Sequence, residues 1–222
     1  MMRNAIRYVV GSTWQPLLVK YLSKTRKYRY EDIDLQIPAS VFHPAFFFST
    51  QLLLNQIKKL SLSNKKMLEP GAGSGLISIY AAKQGAEVTA TDINPAAVQC
   101  LRHNSAQNDV RLTIIESDLF DDIPPQIFDL IAINPPYYKK DPESSADFAW
   151  NCGAHGEYFQ KLFSQLENYI HDSTKILMVL CDGCDIEMVK SMAGENGFSM
   201  AVTFSKQNVL ETNFIYSIEQ MA

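Results

Sequence analysis

The sequence Lys66-Met67-Leu68-Glu69-Pro70-Gly71-Ala72-Gly73-Ser74-Gly75 joins a short apolar run to a loop with glycine at every second position. Glycine allows a tight turn there and lets backbone N–H groups come close to a ligand, because no Cβ intrudes. The apolar run predicts a buried strand, and residues 76–84 continue with a helical pattern. A strand, a glycine loop and a helix in this order are typical of a nucleotide-binding α/β fold.

The same alternation of strand and helix continues along the chain. Nearly uninterrupted apolar runs are typical of parallel strands that helices cover on both faces, so the pattern predicts a Rossmann-like, doubly wound α/β sheet. The pair Asn94-Pro95 is typical of a helix start, while Gly85 and Gly197 are typical of helix ends. Strands are predicted at 66–69, 87–91, 111–116, 128–133 and 175–180, and helices at 76–84, 95–104, 157–170 and 185–196.

The two ends of the chain show different patterns. Residues 198–204 and 214–218 are rich in β-branched and aromatic side chains and predict a closing hairpin. We interpret residues 1–60 as a short N-terminal extension and residues 61–222 as the main domain. Within the extension we expect a short helix at 16–22, strands at 28–30 and 34–37, and a helix at 46–60.

The composition limits the class of protein. The 222 residues are 46% hydrophobic and 20% charged, as in folded globular proteins, and no apolar run reaches the ~18 residues that would span a bilayer. A net charge of −4 argues against a protein that coats nucleic acid through its phosphates. Four cysteines without a disulfide pattern favour a cytoplasmic protein, and no membrane partner is expected.

Acidic residues beside the glycine loop indicate which ligand it holds. The loop reads G-x-G-x-G, whereas a nicotinamide-binding loop reads G-x-G-x-x-G. Glu69 would repel a phosphate and suits a ligand that carries an ammonium and a sulfonium. Asp92, followed by Ile93, ends the second strand, where a carboxylate accepts hydrogen bonds from ribose hydroxyls. We therefore expect S-adenosylmethionine, held by Glu69, Gly71, Ala72, Gly73, Gly75, Asp92 and Ile93.

Two more strand ends complete the predicted cofactor site. Asp118 and Leu119 follow the third strand, where a carboxylate could hold the exocyclic amine of adenine and an apolar side chain could pack on its face. The alternative is that Asp118 caps the next turn. Asn134, at the end of the fourth strand, is expected to face both cofactor and acceptor.

The tetrad Asn134-Pro135-Pro136-Tyr137 indicates the acceptor chemistry. Prolines lack an N–H, so two in a row leave the backbone carbonyls there without a partner in the sheet. A planar NH₂ group offers two donors, one for the Asn134 side-chain oxygen and one for the Pro135 carbonyl, and Tyr137 can stack on its plane. Held in this way, the nitrogen lone pair points at a methyl donor. The alternative is a turn that only ends the strand.

Residues 66–218 resemble a class I S-adenosylmethionine-dependent methyltransferase domain. The tetrad is similar to that of HemK-type protein glutamine methyltransferases and of amino methyltransferases of nucleobases, and residues 147–156 also resemble the HemK type. The resemblance implies a seven-stranded sheet with an antiparallel last strand, in-line transfer from the sulfonium, and no metal. Upstream the chain differs, because Phe46-Phe47-Phe48 replaces the arginine and acid that are usual in the HemK type.

Three hypotheses for the function follow, and two of them differ in the substrate. The favoured acceptor is the side-chain amide of a protein glutamine, as the HemK resemblance implies. The alternative is an RNA acceptor, adenine N6 or guanine N2 in rRNA or tRNA, which a basic and aromatic cluster near the N-terminus supports. A solvated basic face is the commoner explanation of such a cluster. A non-catalytic scaffold for a partner methyltransferase is the third. The cluster comprises Lys20, Lys24, Arg26, Lys27 and Arg29 with Tyr21, Tyr28 and Tyr30.

Two remaining motifs receive structural interpretations. Cys152-x-x-His155 and Cys181-x-x-Cys184 have the spacing of zinc half-sites, but small buried thiols are common, and no metal is assigned. Residues 46–48, all phenylalanine, are expected in the core, with at most one or two of them above the cofactor.

Overall fold

The computed structural model describes residues 23–46, 48–144 and 147–221. The first of these segments forms an antiparallel hairpin of β1 (Arg26–Tyr30) and β2 (Ile33–Ile37), and helix α1 (Phe48–Ile57) follows. Both strands lie where the sequence predicts them, and α1 is shorter than the predicted 46–60. The predicted helix at 16–22 lies outside the described residues.

Alternating strands and helices then build the main sheet, as predicted. Most elements differ from the prediction by one to three residues at an end. The strands expected to begin at 111 and 128 begin at Thr113 and Leu130, the helix expected to end at 104 continues to Gln107, and the strands of the closing hairpin are longer than predicted. The helix expected over 157–170 differs more, because it becomes a 3₁₀ turn after Leu166. In order, the elements are β3 (Lys66–Pro70), α2 (Leu76–Lys83), β4 (Glu87–Asp92), α3 (Pro95–Gln107), β5 (Thr113–Glu116), β6 (Leu130–Ile133), α4 (Glu157–Leu166), β7 (Lys175–Cys181), α5 (Ile186–Glu195), β8 (Phe198–Gln207) and β9 (Thr212–Gln220).

The seven strands β3 to β9 form one sheet in the order β5-β4-β3-β6-β7-β9-β8. Strands β3 to β7 are parallel, and the last strand, β9, runs antiparallel to both β7 and β8. This confirms the doubly wound sheet with an antiparallel last strand. The chain moves outward from β3 to β5 and then returns to the other side of β3 with β6, so the order reverses between β3 and β6.

The central strands are buried on both faces, because neighbouring residues on each strand point into different core clusters. Met67 and Leu130 pack in the cluster that contains the apolar residues of α1 and α2. Leu68 and Ile131 pack in the cluster that contains the apolar residues of α4 and α5. The hairpin β1–β2 and helix α1 share the first cluster with the sheet. The division of the chain into two parts at residue 60 stays a prediction.

The helix ends follow the local signals in the sequence. Asn94 accepts a hydrogen bond from the backbone N–H of Ala96 at 3.0 Å, which satisfies one of the free donors at the start of α3. Gly85 and Gly197 have φ values of 87° and 79°, in the left-handed region that favours glycine just after a helix. Within the described residues, no helix has both the length and the apolar composition needed to cross a bilayer.

Candidate active site

The glycine loop and the tetrad meet because their strands are neighbours. Strand β3 pairs with β6 through Met67 opposite Leu130 and Leu68 opposite Ile131, and the loop and the tetrad follow directly at the carboxyl ends of these strands. The strand order reverses at this point, which leaves a crevice where doubly wound folds bind their ligands. The sheet register thus places the predicted cofactor loop beside the predicted acceptor site.

A cavity of about 370 Å³ opens at this crevice. Its walls combine the glycine loop, the ends of β4 and β5, the tetrad and a segment before α1. Of the predicted site residues, those that line the cavity are Glu69, Gly71, Ala72, Gly73, Asp92, Ile93, Asp118, Leu119, Asn134, Pro135, Pro136 and Tyr137. Gly75 does not line it.

Gly75 has a packing role at the start of α2. It is the N-cap of the helix with φ 84°, and a Cβ built there would lie 2.7 Å from Leu101 Cδ2. Gly71 differs, because it has φ 68° and a Cβ built there would meet no heavy atom within 4 Å. Since Gly71 lines the cavity, a side chain at this position would enter space that a ligand can fill.

Glu69 lies in the wall of the cavity with only 6% of its surface exposed. Its Oε2 accepts a hydrogen bond from the backbone N–H of Ser78 at 2.8 Å and a second one from the Ser78 hydroxyl. Burial raises the pKa of the Glu69 carboxyl to about 8, against the lowering effect of these hydrogen bonds. The carboxyl therefore changes charge near neutral pH, and a cation in the cavity would favour its ionised form.

Asp92 fixes the loop around it. One of its oxygens accepts from the backbone N–H of Gly73 and the other from that of Asn94, each at 2.9 Å. Burial raises the pKa of Asp92, and these two hydrogen bonds oppose that shift. Because each carboxylate oxygen has a further lone pair, Asp92 can hold the loop and still accept from a ligand hydroxyl.

At the end of β5, the side chain that caps the next turn is not that of Asp118. The next turn is capped by Ser117, whose hydroxyl donates to the Leu119 carbonyl at 3.1 Å and accepts from the Asp122 N–H at 3.1 Å. Asp118 instead forms an ion pair of 2.5 Å with Lys161 on α4, which also lines the cavity. Leu119 has a φ of 56°, a conformation that is uncommon for a residue with a side chain.

The tetrad presents free acceptors to the cavity. Among the described residues, none donates a hydrogen bond to the Pro135 carbonyl or to the side-chain oxygen of Asn134. The Asn134 amide nitrogen donates to the hydroxyl of Thr50 on α1 at 3.2 Å. The Tyr137 ring lies 4.9 Å from the Tyr138 ring, and burial raises the pKa of the Tyr137 hydroxyl.

The stretch after the tetrad folds back onto it. The Trp150 carbonyl accepts from the backbone N–H of Tyr137 at 3.1 Å and from that of Tyr138 at 2.9 Å. The Trp150 ring in turn lies 5.2 Å from the ring of Phe42, and both residues line the cavity. An aromatic pair thus lines the site. One ring comes from the segment before the glycine loop, and the other comes from the segment after the tetrad.

Phe42 and Trp150 were not among the predicted site residues. Residues 46–48 are predicted to lie in the core, with at most one or two of them above the cofactor. Phe48 on α1 packs against the first core cluster, and the Lys206 ammonium lies 5.3 Å from its ring, but Phe46 is 43% exposed. Neither lines the cavity, and Phe47 lies outside the described residues. Phe42 is a single phenylalanine before His43-Pro44, with no motif around it. Only the path of the backbone shows that it belongs to the site.

Part of the basic and aromatic cluster has a packing role. Tyr28 and Tyr30 on β1 pack against the first core cluster, and the Lys58 ammonium lies 4.8 Å from the centre of the Tyr30 ring. Lys27 and Arg29 on the same strand are exposed. Lys20 and Tyr21 lie outside the described residues.

The cysteines do not assemble a metal site with His155. Cys181 and Cys184 lie close together, with 3.7 Å between their sulfurs, and Cys152 is buried in the second core cluster. In the described part of the chain, no three His, Cys, Asp or Glu side chains are grouped so that they could hold a metal ion.

Comparison with known proteins identifies the family. The model of the Methyltransferase small domain matches residues 39–218. A protein of Methanocaldococcus jannaschii named as a protein N5-glutamine methyltransferase is 37% identical over 146 residues, which cover 63% of this chain and 72% of the relative. The ribosomal RNA small subunit methyltransferase C of Actinobacillus pleuropneumoniae is 34% identical over 116 residues, which cover 51% of this chain and 35% of the relative.

Solved structures show the same fold. The T. thermophilus 16S rRNA N2 methyltransferase, solved with S-adenosylmethionine and guanosine, has a TM-score of 0.64 and 17% identity, and the match covers 90% of this chain and 50% of that chain. The family match begins at residue 39, so it includes Phe42 and Thr50 from the predicted extension.

The cavity fits the cofactor of this family. Its volume of about 370 Å³ lies in the range of small-molecule sites. Gly71 leaves space where any side chain would intrude, and two carboxylates, Glu69 and Asp92, suit a cationic nucleoside. The chain belongs to the Methyltransferase small domain family, and it is an S-adenosylmethionine-dependent methyltransferase.

Proposed function

We propose that the protein methylates the side-chain amide of a glutamine in another protein. The observation that carries this proposal is a pair of acceptors, the Asn134 side-chain oxygen and the Pro135 carbonyl, to which no described residue donates and which belong to residues of the same cavity as the glycine loop. A planar NH₂ group has two N–H donors, so it can satisfy both acceptors at once.

The cofactor would lie along the loop side of the cavity. In this proposal Glu69 attracts its cationic end, Asp92 accepts from the ribose hydroxyls, and Asp118 with Leu119 holds the adenine. Gly71, Ala72 and Gly73 leave room for it, and Ile93 and Asn134 complete the contact surface. When bound, the cofactor supplies an electrophilic methyl group.

The residues of the tetrad would act by position. Asn134 and Pro135 hold both hydrogens of the acceptor nitrogen, which draws its lone pair out of conjugation and aims it across the cavity. Pro136 stiffens the backbone, and Tyr137 packs on the plane of the acceptor. No general base is needed before transfer, because the nitrogen becomes acidic only as the methyl bond forms.

The charges around the cavity favour a protein over RNA. Among the described residues, five carboxyl groups line it, and the one lysine in this lining, Lys161, is paired with Asp118 and with Asp121. The lysines beside the tetrad are also paired, Lys139 with Asp185 at 3.1 Å and Lys140 with Glu143 at 2.8 Å. A phosphate backbone would meet repulsion here, whereas a neutral glutamine side chain would not. The five carboxylates are Glu69, Asp92, Asp118, Asp141 and Glu157.

An RNA base remains the second candidate. The exposed Lys27 and Arg29 on β1 and the rRNA methyltransferases among the relatives support it. Membership in the methyltransferase family favours either enzyme over the non-catalytic scaffold. The free thiols of all four cysteines suit a reducing compartment, and we place the enzyme in the cytoplasm.

Labelling of a cell extract tests the substrate class. The purified protein is incubated with extract and S-[methyl-³H]-adenosylmethionine, and separate aliquots are digested with protease or ribonuclease. We expect protease to release the label, and acid hydrolysis of the labelled protein, which cleaves side-chain amides, to yield tritiated methylamine. The matched control is Asn134→Ala, which should leave the extract unlabelled. Release by ribonuclease would replace the proposal with the RNA alternative.

A further inference from the structure

We propose that Thr50 is a positioning residue that holds the Asn134 side chain in place in the active site. This inference rests on the role of Asn134 in the proposed function. The contact is a hydrogen bond of 3.2 Å from Asn134 Nδ2 to Thr50 Oγ1, between residues that are 84 positions apart in the chain. Both residues line the cavity.

The orientation of this amide decides whether it can work. A side-chain amide carries an acceptor at one end and two donors at the other, and its last torsion angle is only weakly restrained by its own rotamer preference. With Nδ2 on Thr50, the oxygen is left for the NH₂ of the acceptor. After a rotation of 180°, the Asn134 NH₂ would face the acceptor NH₂, and two donors repel each other. The Thr50 hydroxyl can accept from Nδ2 or donate to Oδ1, so it anchors the side chain in either orientation, and the acceptor NH₂ selects the productive one.

Thr50 is well placed to anchor the Asn134 side chain. It lies in the first turn of α1 and is 6% exposed, so water competes little for its oxygen. Helix α1 is anchored by the fully buried side chains of Leu53 and Leu54 and packs against β7 and β9. The hydroxyl oxygen is therefore held in place by the core of the protein, and an Asn134 side chain that moves away would lose this contact.

This contact gives the segment before the glycine loop a part in the acceptor site. Phe42 from the same segment lies 5.2 Å from Trp150, which itself binds the backbone of the tetrad. The segment thus reaches the tetrad twice, once through the aromatic pair and once through the hydroxyl of Thr50.

Substitutions that remove only the hydroxyl test the inference. Thr50→Val keeps the shape of the side chain, and Thr50→Ser keeps the oxygen. The substrate is the extract fraction in which the wild type places the label, used before methylation. With it we expect Thr50→Val to lower kcat by about tenfold, which is the effect of one hydrogen bond of ordinary strength. The affinity for S-adenosylmethionine should not change. Thr50→Ser should retain the rate.

The matched control is Thr91→Val. Thr91 is fully buried in β4, lies outside the cavity lining, and its hydroxyl has no hydrogen-bond partner among the described residues. Removal of that hydroxyl should change neither rate nor cofactor affinity. If Thr50→Val lowers the melting temperature strongly, Thr50→Ala and Thr50→Ser are compared instead, because they differ only in the oxygen; equal rates for these two would overturn the inference.

A second measurement does not need the acceptor. The side-chain ¹H–¹⁵N amide signals of Asn134, assigned by their loss in Asn134→Ala, should shift and exchange faster in Thr50→Val but not in Thr50→Ser. Unchanged signals in Thr50→Val would refute the hydrogen bond itself. If the wild type labels no protein, the proposed substrate is wrong, while the amide signals still decide the role of Thr50.

Discussion

Glu69 at the end of β3 and Ser78 in the first turn of α2 share two hydrogen bonds, both to the same carboxylate oxygen of Glu69. The carboxyl thus takes up donors at the start of a helix, where a negative charge is favoured, yet burial raises its pKa to about 8. Binding of a cation in the cavity and loss of the Glu69 proton are therefore linked.

The affinity for S-adenosylmethionine should rise with pH up to about 8, the pKa of Glu69 in the free protein. Below that pH the carboxyl must lose a proton before it can attract the cofactor, so the limiting slope approaches tenfold per pH unit. Isothermal titration calorimetry in buffers of different ionisation enthalpy should detect the released proton. Glu69→Gln should bind weakly with a flat profile below pH 8, and a wild-type affinity independent of pH would contradict the linkage.

Without cofactor, the contribution of Glu69 to the stability of the protein should fall as pH rises from 4.5 toward 8. In this window the folded state holds the Glu69 proton, and the unfolded state, with the ordinary pKa of 4.5, has lost it. Urea denaturation across this range measures the slope contributed by Glu69 as the difference between wild type and Glu69→Gln. Identical slopes in the two proteins would show that the carboxyl is ionised throughout.

Asp92→Ala should weaken S-adenosylmethionine binding by more than about tenfold, because it removes a charged acceptor and the partner of the Gly73 and Asn94 N–H groups. Calorimetric titration measures the effect. Asp32→Ala, at an exposed carboxylate paired with Lys83, serves as the control and should leave binding unchanged. Unaltered affinity in Asp92→Ala would exclude the proposed contact with the cofactor.

Two glycine substitutions should separate binding from folding. Gly71→Ala places its methyl group in open space within the cavity, so it should weaken cofactor binding with only the strain of a positive φ, about 1 kcal/mol, in stability. Gly75→Ala meets Leu101 at 2.7 Å and should reduce the free energy of unfolding by about 1–3 kcal/mol more. Chemical denaturation and calorimetry on both variants provide the comparison. A larger loss of stability in Gly71→Ala would contradict this division.

Asn134→Ala should abolish methyl transfer and leave cofactor binding nearly intact, since the lost amide oxygen contacts the acceptor nitrogen in the proposed mechanism. A radiometric assay beside calorimetry distinguishes the two effects. Asn168→Ala, at an exposed position outside the cavity, is the control with the same chemical change. Loss of cofactor binding together with activity would mean that Asn134 acts through the cofactor alone.

The order of elements, the reversal of the sheet and the ring of strand-end residues could be predicted because each has a local signal. Apolar runs mark β3 and β6, glycines mark the loop, and the tetrad marks the acceptor side. In a doubly wound fold these positions meet at the switch point without further information. The cofactor contact of Gly75 stays a prediction: the residue lies outside the cavity lining, and spacing alone cannot tell a glycine needed for ligand space from one needed for packing on Leu101.

The contacts that the sequence did not reveal all join distant segments. Thr50 and Asn134 are 84 residues apart, and nothing in the residues around Thr50 indicates a partner. Phe42 reaches Trp150 only because the chain passes over the crevice before α1 begins. Asp118 pairs with Lys161 through the packing of α4, which a strand-end pattern does not encode.

The pairing of β3 with β6 also has a consequence for the rate of the reaction. At the opposite end of the sheet from the cavity, Asp129 accepts a hydrogen bond from the backbone N–H of Lys66 at 2.8 Å and pairs with Lys65 at 3.1 Å. These contacts hold the two strands at one offset, and a slip of a single residue would move one motif along the other by about 3.3 Å. The separation between methyl donor and acceptor is thus set partly by hydrogen bonds that no reactant touches.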